Sequence, residues 1–361
     1  MAAKACMMSV ERRKKTGRQA ADKRPRSLVV TLGPWHDKPW WWTHLDADKD
    51  LCALDYERLT YKGKHSQTIS TLELPWVMLK VLWHLIGWRR RYEYVFTFEC
   101  DLVGLSIAFW QSLTGMRRPK HVILQFIMRE KQPTFRSRVK YSLMRLLLSS
   151  VERVIVSSRH EINYYSHVFG WSKDKLAYVP LHTSPVLLEK TVDQVEGYII
   201  AAGRSFRDYY TLIKAVSGTE IRLVIVGGTG TADSLPRNDN VTVLENIPVN
   251  ELELLILRAR AVIVPLEHRS ISTGQSVVLQ AMALGKAVIA TKTAGTVDYI
   301  DHMVDGLLVR HKDPQALKDM IRLLNADHDL YERLGTNARR RIANAHLPCH
   351  YTKMVREALR G

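Results

Sequence analysis

Short apolar runs alternate with longer amphipathic segments along most of this chain, and this alternation constrains the fold more than any other feature. In the first half the apolar runs are SLVVTLG, YEYVFTFEC, HVILQFIM, VERVIVSS and KLAYVPL. Short, continuous apolar runs bounded by turn residues are typical of strands that are buried on both faces. Because helix-like segments separate them, these runs predict a parallel sheet covered by helices on both faces.

The same alternation starts again at residue 197. The runs GYIIAAG, IRLVIVGG, AVIVPL and KAVIAT are again separated by helix-like segments. Two such sets predict an α/β chain with two Rossmann-like, doubly wound domains. The predicted organisation is a disordered basic tail (1–26), an N-terminal domain (27–182), a linker (183–196), a C-terminal domain (197–345) and a C-terminal helix that packs back on the N-terminal domain (346–361).

The net charge of +17 is concentrated in the first half of the chain. Residues 1–180 contain 31 Lys and Arg against 16 Asp and Glu, whereas residues 181–361 contain 22 against 20. A basic half indicates an anionic partner, which is a membrane surface, a nucleic acid or an acidic polymer. Since no nucleic-acid-binding module is recognisable, we expect no nucleic-acid partner.

Cysteine usage and hydropathy favour a cytoplasmic location. The four cysteines form no CxxC pair, which predicts reduced thiols and no structural metal site. The first residues lack the apolar core of a signal peptide, and no apolar run reaches the roughly 18–20 residues that span a bilayer. The sequence therefore predicts neither a secreted protein nor a transmembrane one.

Two segments of the first half combine apolar and basic residues. LPWVMLKVLWHLIGWRRR (74–91) is either a buried helix or a helix in the bilayer interface, with tryptophans at headgroup depth and arginines on anionic lipid. RSRVKYSLMRLLLSSV (136–151) is either a second such helix or an ordinary surface helix. The run WHDKPWWW (35–42) either packs in the core or contacts sugar or lipid. The candidate membrane and acceptor residues are Trp76, Trp83, Trp88, Arg89, Arg90 and Arg91.

The stretch STGQSVVLQAMALGKAVIAT (272–291) predicts a turn, a short helix and a buried strand. A helix N-terminus presents unpaired amides and partial positive charge, and therefore favours phosphate. Gln280 lies four residues after Ser276, on the same helix face, where its amide can reach the ribose of a bound nucleotide. The alternative is an ordinary helix start. The candidate ligand-binding residues here are Ser272, Thr273, Gly274, Gln275, Ser276 and Gln280.

The segment AAGRSFRDYYTLIKA adds two arginines at the carboxyl end of a predicted strand. Arg204 directly follows this strand, and Arg207 lies three residues further on. Two guanidinium groups at a strand end can neutralise a diphosphate. The alternative for Arg207 is an ordinary surface charge.

Together these segments resemble the nucleotide-sugar domain of GT-B glycosyltransferases, specifically the retaining group called family four, or glycosyl transferases group 1. The likeness covers most of residues 151–345 and is most specific in LQAMALGKAVIATKTAGTVDYIDHMVDGLLVRHKDP. Residues 1–150 match only in broad pattern. The resemblance implies the GT-B fold, in which two Rossmann-like domains face a cleft, and a nucleotide-diphosphate sugar as donor substrate. It also adds Gly228 and Ile247 to the donor-binding residues.

The chain departs from this family at a characteristic pair of residues. Two glutamates usually stand eight residues apart, the first facing the donor sugar and the second binding the ribose, and here those positions are Ser272 and Gln280. The resemblance implies that Gln280 keeps the ribose contact. Because Ser272 supplies no charge, either Thr273, Glu267 or His268 helps to hold the sugar or the reaction is weakened.

The family's acceptor-side histidine has no counterpart in VILQFIMREK. Acidic residues near predicted strand ends are the alternatives for acid–base catalysis. Glu99 and Asp101 are the candidate catalytic residues, and Glu130 is a further acidic residue in a similar position. Each of the three is otherwise a structural or surface residue.

We therefore expect a metal-independent glycosyltransferase that needs no cofactor besides its donor substrate. It would move a sugar from a nucleotide-diphosphate donor to a lipid-linked or polysaccharide acceptor at the cytoplasmic face of the cell membrane. The expected partners are the nucleotide sugar, the acceptor and an anionic membrane surface. The first alternative is a non-catalytic GT-B paralogue that assists another transferase. The second is a nucleotide-sugar epimerase, which would not need a basic, tryptophan-rich first domain.

Overall fold

The computed structural model of the protein describes residues 26–32, 53–59, 70, 72–99 and 101–360. The predicted basic tail, except for Arg26, and the aromatic run at 35–42 lie outside the described residues. The described chain forms two compact units. The first contains the residues up to Val179 together with 351–360, and the second is Pro180–His350.

The first unit is built on a parallel sheet. Its strands run in the order β2-β1-β3-β4-β5-β6, and every neighbouring pair is parallel. The described strands are β1 (Arg26–Leu32), β2 (Ala53–Leu59), β3 (Tyr94–Phe98), β4 (Lys120–Leu124), β5 (Arg153–Val156) and β6 (Leu176–Tyr178). The helices between them are α1 (Leu74–Trp88), α2 (Leu102–Thr114), α3 (Phe135–Leu147) and α4 (Arg159–Phe169), with short 3₁₀ turns at Leu148–Ser150 and Lys173–Lys175.

Helix α2 of this unit packs against both α1 and α3. The buried side chains of α1 recur every four residues, at Val77, Val81 and Leu85, and therefore lie on one helix face. They share a core with Leu28 and Val30 of β1. The apolar stripe of α1 thus explains how this helix covers the sheet.

Strand β2 is not among the elements predicted from the sequence. Its residues ALDYERL include three charged side chains, which weaken the apolar signal of a buried strand. The structure places β2 at the edge of the sheet, where its carboxylates find partners. Asp55 accepts from Tyr92, with 2.8 Å between the oxygens, and Glu57 accepts from the indole nitrogen of Trp88 at 2.9 Å.

The second unit is also built on a parallel sheet, ordered β12-β11-β10-β7-β8-β9. Its described strands are β7 (Tyr198–Ala202), β8 (Arg222–Gly227), β9 (Val241–Glu245), β10 (Ala261–Val264), β11 (Ala287–Thr291) and β12 (Leu307–Val309). Its helices are α5 (Tyr209–Val216), α6 (Thr231–Ser234), α7 (Val249–Arg258), α8 (Gln275–Ala283), α9 (Pro314–Ala326) and α10 (His328–Ala345), preceded by a 3₁₀ segment at Pro185–Glu189.

Helices cover both faces of the second sheet. Helices α5 and α9 contribute Leu212 and Ile321 to one core, whereas α8 and α10 contribute Val278 and Ile342 to the other. Continuous apolar strands such as AVIV and AVIAT are buried throughout because each sheet face has a helix layer. The predicted α/β class, with two doubly wound sheets, is confirmed.

The last helix, α11 (Pro348–Arg360), ends against the first sheet. Its Tyr351 and Val355 pack with Val29, Phe96 and Val122. Since Val29 alternates with Leu28 and Val30 along β1, α11 covers the sheet face opposite α1. No helix in the described part of the chain is both long and apolar enough to cross a membrane.

Candidate functional site

The carboxyl edge of the second sheet contains a topological switch point. Since β7 lies between β10 and β8, the chain leaves β7 toward one side of the sheet and β10 toward the other. Loops that diverge in this way leave a crevice, and ligands of doubly wound sheets bind there. Arg204 and Arg207 lie in the loop after β7, and the loop after β10 leads into α8 at Gln275. The predicted arginines and the predicted glycine turn therefore meet at one place.

Backbone hydrogen bonds fix these two loops to each other. The amide of Glu267 donates to the carbonyl of Phe206 at 3.1 Å, and the amide of Asp208 donates to the carbonyl of Pro265 at 3.1 Å. These bonds link residues that are nearly 60 positions apart in the chain. The relative position of the loops is therefore set before any ligand binds.

The two arginines after β7 have different surroundings. Arg207 donates through Nε to the carbonyl of Ala202 at 3.0 Å and through Nη1 to the carbonyl of Ser205 at 2.8 Å. Its guanidinium occupies the place of a side chain on Gly203, and burial lowers the pKa of Arg207. Arg204 is exposed and has no hydrogen bond or ion pair with the described residues. Arg207 thus shapes the loop, whereas Arg204 presents its guanidinium to a ligand.

Small residues shape the neighbouring loop after β8. A Cβ on Gly227 would overlap Thr231, whose hydroxyl donates to the carbonyl of Gly228 at 2.7 Å. The stem of Arg204 lies over Gly228, with its Cγ 3.4 Å from where a Cβ would stand. The predicted donor residue Gly228 is therefore next to Arg204. Ile247, the other residue added by the resemblance, follows β9 and is half-buried.

Helix α8 begins with amides that no described side chain caps. Gly274, which precedes the helix, has a φ of +86°, and a Cβ there would lie only 2.9 Å from Leu266. Glycine is the residue that tolerates both this conformation and this contact. The uncapped amides carry the positive end of the helix dipole and favour an anionic ligand.

The turn before α8 is held in place by the loop after β11. A Cβ on Gly295 would overlap the backbone nitrogen and oxygen of Thr273, so the two backbones are in direct contact. The hydroxyl of Thr296 donates to the carbonyl of Thr291 at 2.7 Å and fixes this loop. Thr273 itself is 7% exposed, and its hydroxyl has no hydrogen-bond partner among the residues described. A buried hydroxyl without a partner among the described residues is uncommon, and this one lies beside the α8 amides.

The other residues predicted for this turn divide into buried and accessible ones. Ser272 and Gln275 are buried in the turn. Ser276 is exposed, and Gln280 is half-buried one helical turn further along. The side-chain amide of Gln280 has no hydrogen bond to the described residues. The structure therefore leaves Ser276 and Gln280 accessible on the same face of α8.

Two of the residues suggested as substitutes for a sugar-binding glutamate are already engaged with neighbours. Glu267 accepts from Arg269, with 3.2 Å between Nε and Oε2, and the guanidinium of Arg269 lies 4.9 Å from the ring centre of Phe206. The ring of His268 lies 5.0 Å from that of His311, which follows β12. Glu267 is therefore neutralised by its neighbour in this conformation.

The predicted catalytic carboxylates lie at the carboxyl end of β3 in the first unit. Asp101 caps α2, where its Oδ1 accepts from the amide of Gly104 at 2.7 Å. Burial raises the pKa of Asp101 to about 7, and the neighbouring Glu99 contributes to this shift. Glu99 has a left-handed φ of +52°, and partial burial of its carboxyl group raises its pKa. Glu130 is half-buried in the loop after β4.

Replacing Asp101 with asparagine is expected to change how stability depends on pH. Because the pKa of Asp101 is raised from 3.8 to about 7, the folded chain holds this proton more tightly than the unfolded chain. The stability contributed by this group is therefore present at low pH and is lost as pH rises toward 7. Relative to the native protein, the asparagine variant should gain at most about 1.4 kcal/mol per pH unit across this window. Urea unfolding of both proteins at several pH values measures this difference.

His121 has the opposite pH dependence and serves as the internal comparison. Burial lowers the pKa of His121 from 6.5 to about 3, and its Nε2 is 2.8 Å from the hydroxyl of Thr97. The stability that neutral His121 contributes is lost as pH falls below 6.5. This loss is equal in the native protein and the asparagine variant, so it cancels from the difference between their unfolding free energies. A difference in unfolding free energy that stays constant with pH would show that the pKa of Asp101 is not raised.

The predicted membrane residues of α1 do not all lie on one surface. Trp76 and Trp83 are 65% and 78% exposed, and Arg89, Arg90 and Arg91 are also exposed. The prediction that Trp88 contacts a membrane was wrong. Trp88 is 4% exposed and lies in the core, where its indole nitrogen donates a hydrogen bond to Glu57. Trp88 stands three residues after Leu85, on the inward face of the helix. Helix α1 is therefore buried on one face and exposed and apolar on the other.

Two features of the site were missed by sequence reasoning. Gly295 lies in the segment TKTAGT, where a glycine between small residues is a turn signal without an indicated partner. Tyr209 closes the loop after β7 by donating to the carbonyl of Gly203 at 2.7 Å. In the described part of the chain, no three His, Cys, Asp or Glu side chains are grouped as metal ligands.

Comparisons with known proteins first give the fold. The chain is similar to sucrose-phosphate synthase from Thermosynechococcus elongatus, with a TM-score of 0.67 and 18% identity over 94% of this chain and 98% of that one. It is similar to Anabaena HepE in complex with UDP and glucose, with a TM-score of 0.68 and 15% identity over 93% of this chain and 99% of that one. It is also similar to the lipopolysaccharide outer core galactosyltransferase WaaB, with a TM-score of 0.63 and 12% identity over 92% of this chain and 99% of that one. The chain therefore has the GT-B glycosyltransferase fold, as predicted.

The sequence comparison then identifies the family of the second unit. Residues 193–341 match the family model for glycosyl transferases group 1. This range contains Arg204, the turn before α8 and Gln280. No curated protein sequence matches the chain. This part of the second unit is therefore similar to glycosyl transferases group 1, in agreement with the resemblance found in its motifs.

Proposed function

We propose that the protein transfers a sugar from a nucleotide-diphosphate donor to a lipid-linked or polysaccharide acceptor at the cytoplasmic face of the cell membrane. The observation that carries this proposal is the unengaged Arg204 beside the uncapped amides of α8 at one switch point. A diphosphate at this place meets a guanidinium and the positive end of a helix. The structure of HepE with UDP and glucose supports UDP-sugars as the first donors to test.

In the proposed reaction the bond from the anomeric carbon to the diphosphate oxygen breaks, and an acceptor oxygen forms the new bond. Negative charge then develops on the departing nucleoside diphosphate. Arg204 and the amides at the start of α8 stabilise this charge from fixed positions, which is the most effective form of electrostatic catalysis. Because these groups supply the positive charge, we propose a metal-independent transfer.

The first unit is proposed to bind the acceptor. Asp101 is proposed as the base that takes the proton of the acceptor hydroxyl, since a pKa of about 7 suits proton transfer near neutral pH. Glu99 is the alternative base. WaaB, a lipopolysaccharide outer core galactosyltransferase of the same fold, supports testing glycolipid and saccharide acceptors.

Gln280 is expected to act in donor binding and not in the chemical step. It lies on the accessible face of α8, one turn beyond the amides, where its side chain can pair with a ribose hydroxyl. Gln280→Ala should weaken donor binding by about 1–2 kcal/mol and raise KM while kcat changes little. Gln280→Glu should be tolerated because a carboxylate also accepts from a hydroxyl. Steady-state kinetics of both variants measure this split.

The matched control for Gln280 is Gln315→Ala, which removes a glutamine from the exposed surface of α9. It should leave both kinetic constants unchanged. Two results would contradict the proposed contact of Gln280 with the ribose. One is an unchanged KM with a collapsed kcat in Gln280→Ala, and the other is a larger loss of donor binding in Gln280→Glu than in Gln280→Ala.

The first unit is also proposed to bind an anionic membrane through α1. Trp76 and Trp83 are exposed on this helix, and Arg89, Arg90 and Arg91 follow its end. Replacing any one of these arginines with glutamine should weaken binding to anionic vesicles by about 1 kcal/mol, because each contributes attraction to the negative surface. Co-sedimentation measures this loss, with Arg322→Gln on the surface of α9 as control. Equal binding of the native protein to neutral and anionic vesicles would contradict the electrostatic part of the proposal.

A panel of nucleotide sugars tests the proposed donor directly. A donor present at 100 times its dissociation constant should raise the free energy of unfolding by about 2.7 kcal/mol, which is visible as a thermal shift. Stabilising donors then enter transfer assays with lipid-phosphate and oligosaccharide acceptors. If no nucleotide or nucleotide sugar stabilises the protein, the proposed donor site is contradicted.

The non-catalytic alternative rests on one observation, which is that the sugar-facing position is a buried Ser272 while Glu267 is paired with Arg269. A protein of this kind would bind a nucleotide sugar without turning it over. Slow donor hydrolysis without an acceptor separates the two functions, because an active site transfers the sugar to water at a measurable rate. Donor binding without hydrolysis or transfer would favour the non-catalytic protein.

A further inference from the structure

Helix α3 has an apolar stripe that no part of the described protein covers. Phe135, Val139, Leu143 and Leu146 are each between 51% and 80% exposed. At about 100° per residue these four side chains fall within an arc of about 80° on the helix. The buried residue of α3, Tyr141, lies about 160° from the centre of that arc. The stripe therefore points away from the protein, where a surface helix ordinarily carries polar residues.

Basic side chains border this stripe on both sides. Arg136 and Lys140 lie on one border, and Arg138 and Arg145 lie on the other. All four are exposed, and α3 contains no acidic residue. An apolar stripe between two rows of cations is typical of a helix that lies in the interface of an anionic bilayer.

Helix α1 also exposes an apolar stripe. Its exposed Trp76, Leu79, Trp83 and Ile86 follow a spacing of three and four residues, on the face opposite its buried side chains. Helix α2 lies between α1 and α3 and exposes Leu113. The exposed stripes of α1 and α3 therefore lie on the outer faces of two helices that are joined through α2. We call the surface formed by these nine side chains on α1, α2 and α3 the docking face.

Charge distinguishes this surface from an ordinary protein–protein interface. Residues 74–151, which contain the three helices, carry 13 Lys and Arg but only four Asp and Glu. This segment alone therefore accounts for +9 of the net charge of +17. A second copy of the chain would bring an equally basic surface into contact, and like charges would oppose that association. An anionic lipid surface complements both the charge and the apolar stripes.

We infer that α3 is a second membrane-inserting helix, and that the docking face lies flat on an anionic bilayer. This inference rests on the proposed membrane location and extends it from one helix to a surface with a defined orientation. Because α1 and α2 cover one face of the first sheet, this orientation places that sheet roughly parallel to the bilayer plane. Its carboxyl edge, with Asp101, then opens sideways along the membrane surface. The acceptor that suits this orientation is a lipid whose polar group stands at headgroup level.

The test uses the full-length protein and co-sedimentation with phosphatidylcholine vesicles, with or without phosphatidylglycerol. Phe135→Ser combined with Leu146→Ser removes half of the α3 stripe, and its matched control is Val249→Ser with Leu254→Ser on the exposed surface of α7. The stripe variant should bind mixed vesicles at least tenfold more weakly than the native protein, since two exposed apolar side chains lose their insertion. The control variant should bind like the native protein.

A second pair of variants tests the cations of α3. Arg136→Gln with Lys140→Gln should weaken binding to mixed vesicles by about fivefold per charge and leave the weak binding to neutral vesicles unchanged. Arg322→Gln with Arg333→Gln, on exposed positions of α9 and α10, is the control. Vesicle binding that is unchanged in both α3 variants but lowered by the loss of Arg89 would assign docking to α1 alone and overturn the inference.

Two further measurements separate membrane docking from self-association and from damage to the donor site. If the native protein sediments as an oligomer and the stripe variant as a monomer with unchanged vesicle binding, the docking face binds a second copy and the inference is wrong. Calorimetry with the stabilising nucleotide sugar should give the same affinity for every variant, which shows that the second unit is intact. If no nucleotide sugar binds but the vesicle results hold, the proposed function fails and the docking inference stands.

Discussion

Arg204→Ala is expected to weaken nucleotide-sugar binding by about 2–3 kcal/mol, or roughly 30- to 150-fold in the dissociation constant. Arg204 follows β7 at the switch point, is exposed and has no partner in the described chain. Its guanidinium therefore does not have to leave a protein partner before it binds a phosphate. Isothermal calorimetry with the donor identified by thermal shift measures the loss directly.

Arg222→Ala is the matched control for Arg204. Arg222 is also exposed, but it begins β8 and so lies at the opposite end of the neighbouring strand. Its removal takes away the same charge and should leave donor affinity unchanged. Equal affinities of Arg204→Ala and the native protein would contradict the proposed diphosphate site. A similar loss in both variants would indicate a general effect of net charge.

Gly295→Ala is expected to destabilise the second unit by about 2–3 kcal/mol and to abolish donor binding. The added methyl group would overlap backbone atoms of Thr273, and a backbone cannot move aside as the end of a long side chain can. The turn before α8 would have to shift, and the amides proposed to bind the donor would shift with it. Thermal unfolding and calorimetry measure the two effects separately.

Gly197→Ala makes the same chemical change in open surroundings. A Cβ at this position, just before β7, would have only the end of the Arg222 side chain nearby, at 3.6 Å. This variant should fold with near-native stability and bind the donor normally. Native-like stability and donor affinity in Gly295→Ala would show that the loop after β11 does not position the α8 turn.

The principal elements of the proposed donor site could be predicted from the sequence because each has a local signature. Arg204 directly follows a buried apolar strand, and such residues collect at the carboxyl edge of a parallel sheet. Gly274 stands between a strand and a helix, where a left-handed turn requires glycine, and the structure gives it a φ of +86°. The spacing from Ser276 to Gln280 places both on one face of α8 for the same local reason.

Other parts of the site depend on contacts between residues that are distant in the chain. Arg204 and Arg207 are both arginines after the same strand, but only the folded loop shows that Arg207 binds the carbonyls of Ala202 and Ser205. The contact of Gly295 with Thr273 joins two loops that are 22 residues apart. A single sequence contains no direct record of such pairs.

The same limit applies to the residues of the first unit that the sequence predicts to contact a membrane. The segment 74–91 contains three tryptophans in an apolar helix. Its sequence pattern was compatible with either a buried helix or a helix in the bilayer interface. The structure buries Trp88 and exposes Trp76 and Trp83. This difference arises because the inward face is set by the position of β1 and of Glu57 on β2, which is an edge strand with little apolar signal.

The sequence by itself determined the α/β class, the two doubly wound sheets and the places along the chain where ligand-binding loops occur. It could do so because the hydrophobic period, strand length and glycine conformation are properties of neighbouring residues. The tertiary structure alone decided that Arg204 is available while Arg207 is engaged, that Gly295 supports Thr273, and that α1 and α3 each expose an apolar stripe. These facts depend on burial and on contacts between distant segments, which exist only once the sheets and their helix layers have assembled.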